Sequence, residues 1–343
     1  MKKIMLAIFL AVVVSLVPTI AVAATFPTEA VVGGGAGSPP YVCAKFETPD
    51  HDPAADGTQI EPVAGSTRLV KFYVVVGDPN NVDDVSAVYI KVYHPDGSLK
   101  YQLDAIGPDW TVIPYGGMID MDGDCAPDTA VPDALAVLDA ENRITYGMDP
   151  VRGAMMALDT LMYDLENGKQ FLVELTGEMD YHQPAGDYRV EAIVVDRGGE
   201  SGILENTFNY LSIVALRCDF TKINWGMVNV CQWNVLYGDA DMTTPTKPTI
   251  QNIGNDPAKI ELHFTEMVGQ NFGKKITAFD ATMLGGHIEL DACTPMVIQN
   301  GAGEDVELPP CTPTQIDFSV HPATGTPEDT YLGEMTITIM HLP

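Results

Sequence analysis

Basic residues are scarce in this chain. Its 343 residues include 18 Lys and Arg against 47 Asp and Glu, which gives a formal net charge of −29 at pH 7. Because such a surface repels phosphates, the composition argues against nucleic acid and anionic membranes as partners. It favours divalent cations, high ionic strength or basic neighbouring proteins, although the acidity could equally serve only to keep an extracellular protein soluble.

A second long hydrophobic run is also lacking. The one run begins the chain, where two lysines precede an apolar stretch over residues 4–17 and then the step Ala21-Val22-Ala23. A charged start, an apolar centre and an A-x-A step are typical of a secretory signal peptide, which we predict over residues 1–24. We therefore expect a secreted protein, extracellular or at the cell surface, with no membrane span after cleavage. An uncleaved N-terminal anchor is the alternative.

Catalytic motifs are a third absence. None of the seven histidines lies in an H-E-x-x-H or similar spacing, and the residues around Ser201 depart from the G-x-S-x-G nucleophile elbow. We therefore expect no enzyme, with a hydrolase hidden in the helical region as the open alternative. Tryptophan is limited to Trp110, Trp225 and Trp233, which we expect in the core rather than exposed for stacking on a sugar.

Strand patterns, in contrast, are frequent. Residues 69–76 form a run of β-branched and aromatic side chains, and residues 85–93 alternate apolar and polar side chains. His94-Pro95-Asp96-Gly97 is a turn sequence, after which residues 99–103 are the expected partner strand of a hairpin. These patterns predict a mainly β protein.

The region from about residue 126 to residue 168 does not follow this strand pattern. Asp149-Pro150 combines a capping residue with a proline suited to a first helical turn. Apolar residues then recur at intervals of 3 and 4 up to a stop at Gly168, namely Val151, Met155, Leu158, Met162 and Leu165. The spacing predicts one helix of about four turns. A shorter helix is expected over residues 132–140.

Four segments carry a resemblance to a known class. They are PAGDYRVEAIVVDRGGES (184–201), INWGMVNV (223–230), PTIQNIGNDPAKIELHF (248–264) and QIDFSVHPATGTPEDTYLGEMTITI (315–339). Their strands and Gly/Asn/Asp-rich turns resemble prokaryotic extracellular immunoglobulin-like β-sandwich proteins. The resemblance implies two such domains, residues 25–216 with an α-helical insertion at about 126–168, and residues 217–343. More narrowly, the chain is similar to surface-layer or sheath-type proteins of methanogenic archaea.

Six cysteines in an oxidising compartment predict disulfides. Cys43 and Cys125 fall in the first predicted domain, and Cys218, Cys231, Cys293 and Cys311 fall in the second. We expect the pairs Cys43–Cys125, Cys218–Cys231 and Cys293–Cys311, although four cysteines allow three connectivities. Intermolecular bridges remain an alternative, as does a zinc site, which the absence of a C-x-x-C pair disfavours.

An acidic loop is the best candidate for chemistry. Asp120, Asp122, Asp124 and Asp128 stand at positions 1, 3, 5 and 9 of a pattern that resembles the start of a calcium loop. Position 6 is Cys125 instead of Gly, and position 12 is Val131 instead of Glu, with Asp133 as a substitute if the chain bends back. An acidic surface turn without metal is the alternative.

Two further acidic stretches are weaker candidates. Asp239 and Asp241 lie within the segment 238–241, and residues 47–52 contain a glutamate and two aspartates. We expect the second stretch to be a solvated loop.

Together these features predict a secreted structural component of a cell envelope, such as a surface layer or sheath. Edge strands of β-sandwich domains offer unpaired N–H and C=O groups through which such a protein can self-associate or bind other envelope proteins. Calcium would rigidify a loop or bridge subunits. A soluble extracellular adhesin or carbohydrate-binding module is the alternative.

Overall fold

The structure is a computed structural model that describes residues 37–55 and 57–342, so the predicted signal peptide lies outside the described residues. The protein is mainly β. The strands of the first half are β1 (Tyr41–Thr48), β2 (Thr58–Ile60), β3 (Thr67–Gly77), β4 (Val85–Tyr93), β5 (Leu99–Ile106), β6 (Thr111–Ile113), β7 (Met118–Ile119), β8 (Thr129–Ala130), β9 (Thr145–Tyr146), β10 (Met148–Asp149), β11 (Ala154–Met155), β12 (Gln170–Asp180), β13 (Gly186–Asp196) and β14 (Ser201–Tyr210). The helices are α1 (Val131–Ala140), α2 (Leu158–Glu166) and a 3-10 turn at Val82–Asp84.

Two five-stranded sheets form a sandwich in the first half. Sheet I has the order β6-β12-β3-β1-β9, and sheet II has the order β2-β14-β13-β4-β5. Neighbouring strands are antiparallel except β2, which runs parallel to β14. The core between the sheets includes Phe72, Tyr188 and Phe208, and the last two rings stack with centroids 5.3 Å apart. Burial of this apolar area is the main force that holds the two sheets together.

Sheet I is covered on its other face as well. Tyr73 and Val75 of β3 belong to a second core with Leu135 of α1 and Leu161 of α2. This two-sided burial explains why β3 reads as a continuous apolar run rather than an alternating one. Among the described residues, no helix is long and apolar enough to cross a bilayer.

The strands of the second half form small sheets around a separate core. They are β15 (Leu216–Cys218), β16 (Asn234–Leu236), β17 (Thr249–Asn252), β18 (Ala258–Phe264), β19 (Met267–Gly269), β20 (Lys275–Ile276), β21 (Ala278–Met283), β22 (Gly286–Asp291), β23 (Met296–Val297), β24 (Thr314–Gln315), β25 (Asp317–Val320), β26 (Tyr331–Leu332) and β27 (Met335–His341). The sheet orders are β15-β17-β24, β16-β25-β21-β22, β23-β18-β27 and β20-β19-β26. Phe264 stacks on Phe279 at 4.7 Å in this core, and Phe318 packs edge-on against Phe264.

The linker between the halves is held by side chain to backbone hydrogen bonds. Asn255 donates through Nδ2 to the carbonyl of Leu211 at 2.9 Å and accepts at Oδ1 from the N–H of Ile213 at 2.8 Å. The N–H of Gly65 donates to the carbonyl of Ile253 at 2.9 Å. The first half therefore contacts the second at more than one point. The division of the chain at residue 216 stays a prediction.

The hairpin and the shorter helix predicted from the sequence are confirmed. β4 pairs with β5 across the turn at residues 94–97, where the N–H of Gly97 donates to the carbonyl of His94 at 2.9 Å. Helix α1 covers the stretch expected at residues 132–140, with a proline in its first turn.

The predicted four-turn helix is wrong over its first half. Residues 148–155 form the β10–β11 hairpin, and helix structure begins only at Leu158. Asp149 does not cap a helix; its Oδ1 accepts hydrogen bonds from the N–H groups of Val151 and Arg152, and Gly153 then takes a φ of +66°. A left-handed glycine ends a turn readily and cannot continue a helix. The apolar spacing placed Val151 and Met155 on a helix face, but both side chains are exposed.

A cationic clamp stabilises this hairpin. Arg152 lies 2.5 Å from Oδ2 of Asp149 and 2.7 Å from Oδ2 of Asp164, and both carboxylates are buried. Burial acts to raise the pKa of Asp149, but the hydrogen bonds from Arg152 outweigh it and hold that pKa below its usual range. The clamp joins the hairpin to α2.

Replacing Arg152 with Met should lower the free energy of unfolding by about 2 kcal/mol, between the values typical of exposed and of buried ion pairs. Since the folded pKa of Asp149 is depressed, its contribution is present above the unfolded pKa of about 3.9 and is lost as the pH falls through the folded value. Urea unfolding at neutral pH and at pH about 3 should therefore show the difference between wild type and variant shrinking in acid.

The matched control is Lys275→Met, which removes an exposed ion pair with Glu266. This control should unfold nearly as the wild type does. Equal effects of the two substitutions at neutral pH would contradict the clamp.

Candidate cation-binding sites

The predicted acidic loop is the tip of a small hairpin. Strands β7 and β8 pair through Ile119 and Thr129, and the loop between them carries the candidate carboxylates. One oxygen each from Asp120, Asp122 and Asp124 lies within 4.8 Å of the others. The structure thus brings together three of the four predicted ligands.

Cys125 occupies the position that calcium loops reserve for glycine, and it adopts the same backbone conformation, with a φ of +72°. Its N–H donates to Oδ2 of Asp120 at 2.9 Å, and the N–H of Gly123 donates to Oδ1 of Asp120 at 2.7 Å. The departure from the motif therefore does not prevent the tight turn. The backbone wraps around Asp120.

Asp128 lies outside the cluster. Its Oδ1 accepts hydrogen bonds from the Thr129 hydroxyl at 2.8 Å and from the N–H of Met121 at 3.3 Å. Asp128 therefore fastens the base of the loop.

A lysine already neutralises the buried member of the acidic loop. Nζ of Lys71 lies 3.2 Å from Oδ2 of Asp120 and 3.5 Å from Oε1 of Glu174. Burial acts to lower the pKa of Lys71, but these two carboxylates outweigh it and raise the pKa. The charge of Asp120 is thus balanced without a metal, and a calcium ion would have to share this carboxylate with Lys71.

A second group of carboxylates was not found by sequence reasoning. Asp78 follows β3, Asp84 ends the 3-10 turn before β4, and Asp196 ends β13. One oxygen each of these three residues lies within 4.8 Å of the others. The group sits where a strand end of sheet I meets two strand ends of sheet II. The sequence carries only a weak signal for this group, because each aspartate stands next to a turn and no local spacing links the three.

This second group lacks a cationic partner among the described residues. No lysine, arginine or histidine of residues 37–55 and 57–342 forms a salt bridge with its members. Asp78 is only 8% exposed, and its Oδ2 is buried without a hydrogen-bond donor. Because an unpaired buried carboxylate is costly, these oxygens could hold a divalent cation such as calcium, which binds carboxylates from flexible segments.

The weaker candidate carboxylates at residues 238–241 accept hydrogen bonds from side chains of their own loop. Asp239 accepts hydrogen bonds from the Thr244 hydroxyl at 2.9 and 2.7 Å, which lowers its pKa, and Asp241 accepts from Thr243. The prediction that residues 47–52 form a solvated loop is wrong in part. Glu47 lies within β1 and is fully buried, and Oδ2 of Asp50 lies 3.5 Å from Nε of the buried Arg143.

The predicted disulfides are absent, and all six cysteines are free thiols. Cys43 is buried in the core beneath the helices, where burial raises its pKa well above the usual value, whereas Cys125 is exposed on the acidic loop. Cys231 is exposed with Sγ 2.9 Å from the Thr324 hydroxyl, while its expected partner Cys218 packs against the second core. Cys293 and Cys311, which form the remaining expected pair, are also free thiols. The even number of cysteines in each half predicted disulfides. The fold instead buries Cys43 in a core and leaves its expected partner Cys125 exposed.

The tryptophans divide between core and surface. Trp110 packs on Phe171 with ring centroids 5.2 Å apart, and Trp225 donates through Nε1 to the carbonyl of Phe318 at 3.1 Å. Trp233 is 41% exposed, with its ring 5.1 Å from that of His321. The core prediction therefore fails for Trp233.

No model of a known protein family matches the sequence, and no curated protein matches it. Among solved structures, the chain is similar to a chain of the chaperone–tip adhesin complex of CFA/I fimbriae at 10% identity and a TM-score of 0.33, covering 85% of this chain and 98% of that chain. It is similar to the C-terminal domain of the Streptococcus pyogenes antigen I/II-family protein AspA at 12% identity and a TM-score of 0.25, covering 87% and 96%. It is also similar to BcpA, the major pilin subunit of Bacillus cereus, at 10% identity and a TM-score of 0.24, covering 81% and 58%. At these values the likenesses define neither a shared fold nor a shared function.

Neutralising the second group should change stability in opposite directions with and without calcium. In chelator, Asp78→Asn with Asp196→Asn should raise the melting temperature, because it removes repulsion between buried like charges. In millimolar calcium the wild type should be the more stable protein, since a ligand at 100 times its Kd adds about 2.7 kcal/mol. Differential scanning calorimetry in both conditions checks this reversal.

The variants Asp122→Asn with Asp124→Asn test the acidic loop separately, and Asp187→Asn on β13 controls for charge. Absence of binding heat when millimolar calcium is titrated into the wild type would rule out both candidate sites.

Proposed function

We propose that this chain is a secreted structural protein of a cell surface, which assembles into a surface layer or sheath through the edges of its sheets. The predicted signal peptide, the acidic composition and the mainly β fold support an extracellular role. The proposal assigns the chain no enzymatic activity. Its partners are other copies of itself or basic proteins of the same envelope.

The observation that carries this proposal is a long edge strand in each half. Among the described residues, β5 pairs only with β4, and β27 pairs only with β18. Each therefore offers one side of its backbone to another strand. Ile106 of β5 and Thr338 of β27 are exposed at these edges. Pairing of β5 in one copy with β27 in the next would be a head-to-tail contact, which propagates when its rotation does not close a ring.

Calcium has a defined place in this proposal. A cation at Asp78, Asp84 and Asp196 would join strand ends of the two sheets and so rigidify the subunit. A cation at the exposed carboxylates Asp122 and Asp124 could instead be shared with a neighbouring copy.

Added charge at the edges should prevent assembly. Ile106→Glu and Thr338→Glu place carboxylates on the two edge strands, and charged side chains are a common means of blocking strand addition. Static light scattering of the mature protein with millimolar calcium should show large particles for the wild type and monomers for either variant. Met227→Glu is the matched control, because Met227 is fully exposed outside any strand. A wild type that stays monomeric at high concentration would contradict the proposal.

A soluble adhesin or carbohydrate-binding module is the second candidate, favoured by the exposed Trp233. Tyr237 is exposed on the same segment, so two aromatic rings face solvent there. Aromatic faces of this kind stack on sugars. Glycans that shift tryptophan fluorescence in the wild type and not in Trp233→Ala would support this role over the structural one.

A further inference from the structure

A buried lysine lies between the two sheets of the sandwich. Lys45 projects from β1 of sheet I, and its Nζ contacts Oδ1 of Asn206 on β14 of sheet II. Nζ also lies 3.1 Å from Oε1 of Glu47 and donates a 3.2 Å hydrogen bond to the carbonyl of Val190. Lys45 and Glu47 are both 0% exposed. Water is therefore excluded from the amine and the carboxylate.

A third contact closes the arrangement. Nδ2 of Asn206 donates to Oε2 of Glu47 at 2.8 Å. One carboxylate thus holds the lysine amine at one oxygen and the amide nitrogen of the asparagine at the other. Both distances lie in the range in which a carboxylate transfers protons as a general acid or base.

The surroundings favour a reactive amine over a charged one. Burial lowers the pKa of Lys45, although the adjacent Glu47 opposes this change. A desolvated lysine is an activated nucleophile, because its neutral form carries the free electron pair. An ion pair alone is a weak reason to bury these groups, since such pairs add little net stability. An ion pair also gives no reason for the amide of Asn206 to lie against Nζ of Lys45.

We propose that Lys45 and Asn206 react with each other to form an intramolecular amide bond, with Glu47 as the general base. The fixed contact between the two side chains replaces an encounter in solution, which is the main gain of an intramolecular reaction. No metal, oxidant or second substrate is needed.

In the proposed reaction, Glu47 carries every proton that moves. Glu47 takes a proton from the ammonium of Lys45, and the electron pair of Nζ forms a bond to Cγ of Asn206. Glu47 passes its proton to Nδ2 and takes the second proton from Nζ. The bond between Cγ and Nδ2 then breaks, and the leaving ammonia takes the proton from Glu47 and departs as ammonium. The product is an amide between Nζ and Cγ, with Glu47 again a carboxylate.

The bond would join the two sheets covalently. Its ends are 161 positions apart in the chain, on the first and last strands of the first half. Force applied along the chain between these strands would be carried by the amide instead of by separable sheets. This property suits an extracellular protein, but the inference rests on the contacts and burial of the three side chains and does not depend on surface assembly.

Intact-mass spectrometry of the purified full chain tests the proposal. The wild type should be lighter by one ammonia than its processed sequence requires, and tandem mass spectrometry of a digest should find a branched peptide that joins Lys45 to Asn206. Glu47→Gln keeps the shape of the base and removes its function, so this variant should keep the ammonia. Glu205→Gln makes the same chemical change at an exposed position on β14 and should cross-link like the wild type.

The mass spectrum of the wild type decides the matter even if a variant does not fold. Recovery of separate, unmodified peptides that contain Lys45 and Asn206 would overturn the proposal. So would a loss of ammonia that maps to the Asn167-Gly168 or Asn300-Gly301 step, where cyclisation of asparagine gives the same mass change. Cross-linking in Glu47→Gln at the wild-type level would remove the role of Glu47.

Discussion

The central part of sheet I is covered on both faces, and this constraint governs the polar chemistry of the first half. Sheet II covers one face, and the two helices cover the other. A charged side chain that is buried on or against these strands must therefore find its partner inside the protein, because an isolated buried charge is strongly destabilising. Four groups of partners meet this demand: Lys45 with Glu47, Lys71 with Asp120 and Glu174, Arg143 with Asp50 and Glu141, and Arg152 with Asp149 and Asp164.

Basic side chains are too few to pair with most of the carboxylates in this chain. With 18 basic residues against 47 acidic ones, most carboxylates must remain in water or share a cation. The carboxylates at Asp78, Asp84 and Asp196 do neither completely, since two of the three are buried and no basic side chain of the described residues reaches them. The proposed calcium ion would supply the positive charge that this group lacks. The acidic loop differs because Lys71 already balances its buried aspartate.

Burial of Lys45 has a second consequence beyond pairing. Its ammonium faces a carboxylate on its own strand and an amide on the opposite sheet, so the same packing that excludes water also holds three reactive groups in contact. The apolar surroundings that make the charge of Lys45 costly also favour its neutral amine. Packing between the sheets thus creates a chemical environment that neither strand has alone.

Local patterns in the sequence predicted the elements whose cause is local. Alternation predicted the β4–β5 hairpin, and a shorter helix was predicted where α1 lies. The spacing of aspartates predicted a loop with four converging carboxylates, and three of them lie together. The four-turn helix failed because Gly153 and the carboxylate of Asp149 favoured a turn over the apolar spacing. The disulfides failed because an even count of cysteines says nothing about which of them lie in a core.

The sequence by itself determined the mainly β character, the negative charge and the acidic loop, because each depends on composition or on residues close together along the chain. Only the tertiary structure decided which charges are buried. It brought Asp78 to Asp196 and Lys45 to Asn206, pairs whose members lie far apart in the chain and meet because two sheets pack face to face. Their chemistry follows from the exclusion of water at those contacts, and no local pattern of residues encodes that exclusion.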